Sequence, residues 1–227
     1  MQLQWKVTCS MILALAVSVE VGASPIVLNP SFEAVQIGSP YFSTNVADVP
    51  SWTRTGVPGD AALWAVGYSD SGGSITTAGD GNQFTTMGCG ATGCVGTTSW
   101  SQVIGGFTPG SQYLLTFMIA NEHGTVLPQF AISQTVVVDF ATGSSTASQS
   151  FTAPAPPGAN YWRVWLPQSM LFTATASTVT LQFSSTTAYD VGLDNVAITE
   201  VPEPTTTLLV ATGLLAGYRR LRKRRTP

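Results

Sequence analysis

The chain has 227 residues, enough for one large β-sandwich domain once its two ends are set aside. Charged residues make up 9%, hydrophobic residues 44% and aromatic residues 10%, a composition that argues against intrinsic disorder. Between Ser24 and Glu200, two basic residues stand against ten acidic ones, a formal net charge of −8. Such a surface repels phosphate backbones, which makes nucleic acid an improbable partner and favours calcium or neutral polar ligands.

Residues 1–23 have the pattern of a secretory signal peptide. Lys6 precedes an apolar run over residues 7–19, which is too short to span a bilayer, and small residues at 21–23 offer a cleavage site before Ser24. Because Glu20 lies close to that site, the pattern does not fix the exact cleavage position. The alternative is an anchor that is not cleaved. Either way, the pattern predicts export.

Residues 24–200 show short β-like runs broken by Gly, Pro, Asn, Asp and Ser, and no long run with helical periodicity. Residues 178–183 and 136–140 alternate between apolar and polar side chains, and 112–120 is apolar on both faces, as in a central strand. Thr108 to Gly110 predicts a tight turn. The pattern predicts an all-β, two-sheet sandwich. The predicted strands are 26–32, 51–54, 61–68, 83–87, 100–104, 112–120, 136–140, 161–166, 170–175, 178–183 and 193–199.

The single histidine, His123, is expected to lie in a loop in water, and the chain has neither a Gly-x-Ser-x-Gly elbow nor a His-Glu-x-x-His motif. Glycosidases need two carboxylates across a sugar bond, and Glu122 with Asp139 is one possible pair. Sequence cannot place that pair, and a small sandwich offers few clefts. We therefore predict that the protein is not an enzyme.

Aromatic side chains are the candidates for glycan binding, because sugars stack on flat rings. In an extended strand, Tyr161, Arg163 and Trp165 share one face and form a possible platform. Trp64 and Tyr68 are further candidates. The alternative is that these rings belong to the hydrophobic core.

Cys89 and Cys94 are the cysteines that would remain after Cys9 leaves with the signal. Export places them in an oxidising compartment, so we predict a local disulfide between them. Two cysteines and one distant histidine make an incomplete ligand set for zinc.

The last residues, 201–227, have three parts: Pro202-Glu203-Pro204, an apolar segment at 205–218, and a basic cluster at 219–225. Fourteen helical residues reach about 21 Å, short of the roughly 30 Å hydrocarbon core, but the long basic side chains could lengthen the span. A plain C-terminal membrane anchor is the alternative interpretation. The cluster consists of Arg219, Arg220, Arg222, Lys223, Arg224 and Arg225.

This ordered tail resembles the PEP-CTERM sorting signal of Gram-negative bacteria. The resemblance implies transient anchoring in the inner membrane, processing by the membrane protease exosortase near the Pro-Glu-Pro motif, and release to the cell surface or matrix. It also implies a link to exopolysaccharide and biofilm.

The body resembles the choice-of-anchor domains found on many PEP-CTERM proteins, which are similar to galactose-binding-like jelly rolls and carbohydrate-binding modules. The resemblance rests on short motifs at 28–33, 50–53, 81–83, 101–102, 109–113 and 193–196. It implies a buried Trp52. It also implies a structural calcium held by Glu33 and Asp194 with help from Asp80 and Asn82, since calcium takes carboxylate and carbonyl oxygens. The alternative is that these acids cap turns or accept from backbone amides.

The sequence thus predicts an exported, non-catalytic protein of the envelope or biofilm matrix that binds glycan or exopolysaccharide. A matrix protein without a ligand and a glycan hydrolase are the two alternatives.

Overall fold

The computed structural model of the protein describes residues 24–38, 41–56, 61–70, 73–89, 97–122, 133–142, 145–155, 164–185 and 189–202. The predicted signal peptide and nearly all of the predicted tail lie outside these ranges. Within them there are thirteen strands and one short 3-10 helix, Val46–Asp48. No helix in this part of the chain is long and apolar enough to cross a bilayer. The strands are β1 (Phe42–Ser43), β2 (Thr53–Thr55), β3 (Leu63–Ala65), β4 (Ser69–Asp70), β5 (Gly73–Ser74), β6 (Gln83–Cys89), β7 (Thr98–Gly105), β8 (Gln112–Asn121), β9 (Gln134–Thr142), β10 (Ser145–Ala153), β11 (Trp165–Thr173), β12 (Thr178–Ser185) and β13 (Tyr189–Glu200).

The strands form two antiparallel sheets packed as a sandwich, which confirms the predicted fold class. The six-stranded sheet has the order β1-β3-β6-β13-β8-β11, and the five-stranded sheet has the order β10-β9-β12-β7-β2. A small hairpin, β4-β5, stands apart from both. Because β8 and β13 lie inside the larger sheet, they are paired on both sides, as the apolar composition of 112–120 predicted.

Alternating side chains from both sheets fill the space between them. On β8, Tyr113, Leu115, Phe117 and Ile119 are buried, and on β12 so are Val179, Leu181 and Phe183. The ring of Phe117 lies 5.0 Å from that of Phe151 and 5.1 Å from that of Phe183, both edge to face. This inner face is one continuous apolar core, the main source of stability in a sandwich.

The predicted N-terminal strand, residues 26–32, is wrong. Asn29 and Phe32 have φ of 49° and 58°, which a continuous strand does not tolerate. Side chains replace the missing ladder: the Gln102 amide accepts from Leu28 N at 2.9 Å and donates to Leu28 O at 2.9 Å and to Ser51 O at 3.1 Å. The sequence pattern was apolar enough for a strand, but the hydrogen bonds come from elsewhere in the fold.

Gln83 holds the next part of the same segment. Its side chain accepts from Ile37 N at 2.8 Å and donates to Phe32 O at 3.0 Å and Val35 O at 2.8 Å. Trp52, buried as predicted, donates from Nε1 to Asn29 O at 3.1 Å. Several of the short motifs noted in the sequence therefore attach this segment to the sandwich.

One further strand prediction needs correction, and one strand was missed. The region 161–175 was predicted as two strands, but residues 165–173 form the single edge strand β11, in which Pro167 is tolerated because an edge strand needs no donor on its open side. The strand β10 was not predicted, since Phe151 and Ala153 are its only buried apolar side chains. The predicted turn at 108–110 is present, with Ser111 N donating to Thr108 O at 3.1 Å.

Candidate functional site

The outer face of the six-stranded sheet has a second, smaller core of its own. Phe84 on β6 and Ala120 on β8 point away from the sandwich interior and are fully buried, together with Ile75. The half-buried side chains around them are Trp64, Val66, Tyr68, Ala78 and Trp165. What covers this face is the chain between β3 and β6, residues 66–70 and 73–82, which we call the strap.

Hydrogen bonds hold the strap to the sheet at several points. Asp80 N donates to the Asp194 carboxylate of β13 at 2.7 Å, while Val66 N donates to Asn82 O at 2.9 Å and ties the two ends of the strap together. Trp165 Nε1 donates to Thr77 O at 3.3 Å from the opposite edge of the sheet. Gly79 packs so closely that a Cβ there would lie 2.9 Å from Asp194 Cβ. The strap therefore divides the outer face into two exposed parts.

On the β1 side of the outer face, Tyr68 of the strap and three neighbouring aromatic rings form a continuous cluster that we call the platform. Phe42 and Trp64 are direct register partners whose rings stack at 4.8 Å and 21°. Tyr68 meets Trp64 edge to face at 4.8 Å, and Tyr41 lies 6.2 Å from Phe42. Phe42 is 39% exposed and Tyr41 59%. The platform thus offers ring surface to solvent while its base is fixed by packing.

The aromatic residues predicted from the sequence to bind glycan do not lie together in one place. Trp64 and Tyr68 lie together in the platform, as side chains half-buried on the outer face. Trp165 lies across the sheet, its ring 5.0 Å from Phe84 and edge to face with it, so the alternative interpretation as a core residue describes it well. Tyr161 and Arg163 lie outside the described residues.

Tyr41 and Phe42 were missed by the sequence analysis, because they belong to a two-residue strand with no alternating pattern. Two adjacent aromatic residues directly after Pro40 were the available signal.

The three carboxylates predicted to bind calcium meet at one turn, residues 79–83. Glu33 Oε1 accepts from Asn82 N and Gln83 N, both at 2.6 Å, and Oε2 accepts from Gln36 Nε2 at 2.7 Å. Asp80 Oδ2 accepts from Ser31 Oγ at 2.7 Å. Within the described part of the chain, no group of three or more His, Cys, Asp or Glu side chains is placed to hold a metal ion.

Amide and hydroxyl hydrogens therefore point at the oxygens that calcium would require, which is the arrangement of the alternative interpretation. The residues as placed do not fit the ion, and its binding stays a prediction from the sequence.

Asp194 is the most perturbed of these acids. Its side chain is completely buried beneath the strap, and besides Asp80 N it accepts from Asn195 N at 2.8 Å. Burial raises the pKa of Asp194 from 3.8 to about 8, the nearby charge of Asp80 adds to this, and the backbone hydrogen bonds oppose it. The carboxyl works as a structural acceptor below the strap.

Glu122 and Asp139, the pair considered for glycoside hydrolysis, do not share a cleft. Glu122 follows β8 in the six-stranded sheet, where its carboxylate accepts from Asp190 N at 2.8 Å. Asp139 lies on β9 of the other sheet, between the buried residues Val138 and Phe140, and so faces the outside of the sandwich. The core separates the two carboxylates. His123 lies outside the described residues.

Cys89 ends β6, and Cys94, its predicted disulfide partner, lies outside the described residues.

The C-terminal region, residues 200–225, matches the family model for the PEP-CTERM protein-sorting motif. This confirms the interpretation of the tail as a sorting signal and identifies the chain as an exported protein. No curated protein matches the sequence.

Solved structures with a similar fold include TmCBM61 in complex with β-1,4-galactotriose, at 15% identity and a TM-score of 0.50 over 77% of this chain and 97% of that one. The arabinose-bound MgGH51 α-L-arabinofuranosidase matches at 11% identity and a TM-score of 0.50, over 79% of this chain and 27% of that one. The CBM22-1 xylan-binding domain from Paenibacillus barcinonensis Xyn10C matches at 13% identity and a TM-score of 0.45, over 77% and 93% of the two chains. The body thus shares its sandwich fold with TmCBM61.

Proposed function

We propose that the protein is an exported, non-catalytic glycan-binding protein of the bacterial cell surface or biofilm matrix, and that the platform binds sugar rings of an exopolysaccharide. The observation that carries the proposal is the exposure of Tyr41 and Phe42 above Trp64 and Tyr68. Folding does not require large rings to stay in water at the edge of a sheet, since contiguous exposed apolar surface on soluble proteins usually marks a binding site.

The chemistry of the platform suits a sugar. Aromatic faces stack on the C–H surface of a pyranose ring, and fixed rings bind with little loss of side-chain entropy. The stacked pair of Phe42 and Trp64 is already held by cross-strand pairing and by the bond from Trp64 Nε1 to Thr86 Oγ1 at 3.2 Å. TmCBM61, which shares the fold, is described with β-1,4-galactotriose, which makes β-1,4-galactan a suitable first probe.

The proposal is tested with the double variant Tyr41→Ala/Phe42→Ala against a panel of neutral polysaccharides that includes β-1,4-galactan. Each lost ring contact weakens binding by about 0.5–1.5 kcal/mol, so we expect a dissociation constant roughly ten times higher in affinity electrophoresis or calorimetry. The matched control is Val103→Ala/Leu171→Ala, which removes two other exposed apolar side chains, 69% and 59% accessible, and should bind like the wild type.

If both double variants bound polysaccharide equally well, the platform would not be the binding site. A wild-type protein that binds no polysaccharide would favour a structural matrix protein without a ligand. Turnover of a polysaccharide that is lost in Glu122→Gln or Asp139→Asn would instead establish a glycan hydrolase.

The sorting part of the proposal is that exosortase processes the tail near Pro202, Glu203 and Pro204 after transient anchoring in the inner membrane of a Gram-negative bacterium. It is supported by the match of residues 200–225 to the sorting motif. Fractionation of the native host with mass spectrometry of the mature C-terminus should find a body in the surface or matrix fraction that lacks the basic cluster 219–225. Recovery of the intact chain from the cytosol would contradict it.

A further inference from the structure

On the other side of the strap, the outer face carries a groove of about 310 Å³ between β8 and β11. Outward-facing residues of the two paired strands form its floor: Met118 lies opposite Pro167, and Thr116 lies opposite Ser169. Asn195 of β13 closes one side. Seven residues line the groove, namely Thr116, Phe117, Met118, Pro167, Gln168, Ser169 and Asn195.

A β-bulge in β13 lies beside this groove. Asp194 pairs with Met118 and Ala197 pairs with Thr116, so β13 contains one more residue than β8 across the same interval. Val196 leaves the ladder, donates to Pro30 O at 3.0 Å and is buried, whereas Asn195 is exposed with φ of 50°. A bulge next to a cavity commonly re-aims a side chain, and a positive φ held by the surrounding fold often marks a functional position.

The groove is polar but uncharged. Hydroxyl groups of Thr116 and Ser169 and the amide of Asn195 lie beside the apolar surfaces of Met118 and Pro167, and none of the seven lining residues is charged. A few hydrogen-bonding groups on a partly apolar surface are typical of a small-molecule site. The acidic body around it, with ten acids against two bases, disfavours a polyanion. The matching occupant is therefore a neutral sugar unit.

We propose that the groove is a second sugar subsite and that one neutral polysaccharide chain binds the platform and the groove together, on either side of the strap. This inference rests on the proposed glycan binding at the platform. Trp64 on β3 and Met118 on β8 are three strands apart, a separation of about 14 Å at the usual strand spacing. A polymer spans both subsites, whereas a short oligosaccharide occupies one.

Linked binding at two subsites raises the apparent affinity because the second contact is intramolecular. The test uses Ser169→Tyr, which fills the groove, and its matched control Thr173→Tyr, which adds the same ring on the same exposed face of β11, four residues further on. Affinities are measured for the neutral polysaccharide that the wild type retains best, for its disaccharide and for polygalacturonate. Thermal unfolding verifies that both variants are folded.

We expect Ser169→Tyr to weaken polymer binding at least ~10-fold with Thr173→Tyr unchanged, since one of two linked contacts is lost. The Tyr41→Ala/Phe42→Ala variant should lower polymer affinity to a similar extent. Equal polymer binding by Ser169→Tyr and Thr173→Tyr would overturn the second subsite while leaving the platform in place. A wild-type preference for polygalacturonate would overturn the assignment of a neutral ligand. A wild-type protein that binds no glycan at all would reject the proposed function itself.

Discussion

The two faces of the six-stranded sheet differ in which side chains they bury and which they expose. Its inner face continues into one apolar core, where Leu115, Phe117 and Leu193 are completely or almost completely buried. Its outer face combines a small second core, an acid buried beneath the strap, exposed rings and a polar groove. Burial in the core explains why the inner face carries large apolar side chains. It does not explain the exposed rings on the outer face, and the proposed function is assigned to those rings.

The sharpest test of this contrast is the removal of one phenylalanine from each face. Phe117→Ala leaves a cavity among the rings of Phe151 and Phe183, so we expect a loss of about 3–5 kcal/mol in the free energy of unfolding. Phe42→Ala removes a ring that is already 39% exposed, and we expect a loss of about 1 kcal/mol or less. Urea denaturation measures both values.

Similar losses for the two variants would mean that the platform is part of the folding core and that its exposure has no functional meaning.

A smaller effect is expected for Gln102, a buried polar side chain on β7 of the five-stranded sheet. Gln102→Ala leaves the N–H and C=O of Leu28 and the C=O of Ser51 without their partner, which costs about 2–3 kcal/mol in unfolding free energy. Gln112→Ala, at an exposed position on β8, serves as the control and should change stability by less than about 0.5 kcal/mol. If Gln102→Ala were as stable as its control, the N-terminal segment would have to be held by other contacts.

The last test concerns the acid beneath the strap. Since the pKa of Asp194 is about 8 in the folded protein and 3.8 for an unperturbed aspartate, the folded state keeps a proton that the unfolded chain releases between these pH values. Stability is therefore fully present below about pH 4 and is lost as pH rises through 8. We expect Tm at pH 8.5 to lie on the order of 10 °C below Tm at pH 5, since each unit of pKa difference corresponds to about 1.4 kcal/mol.

Asp194→Asn should remove this slope, because an amide does not titrate, whereas Asp139→Asn on the other sheet should retain it. A Tm that rises with pH in the wild type would show that the amide hydrogen bonds outweigh burial and keep the carboxylate ionised. A change of slope in Asp139→Asn would assign the pH dependence to a different acid.

The sequence predicted the inner-face strands well, since Val179, Leu181 and Phe183 alternate with polar residues and are completely buried. It failed where side chains replace a backbone ladder, as at residues 26–32, and where an edge strand is mostly polar, as in β10. For the candidate site, Trp64 and Tyr68 were predicted from composition alone. Tyr41, Phe42 and Asn195 were not, because exposure depends on where the strap and the bulge lie.

The amino-acid sequence by itself determined the sorting tail, the scarcity of basic residues between positions 24 and 200 and the two-sheet fold, because charge clusters and alternating side chains are local properties of the chain. Only the tertiary structure decided which rings are buried, which carboxylates accept amide hydrogens and where a groove opens. Those features arise when strands that are distant in sequence pair in a defined register and a strap closes over part of the sheet.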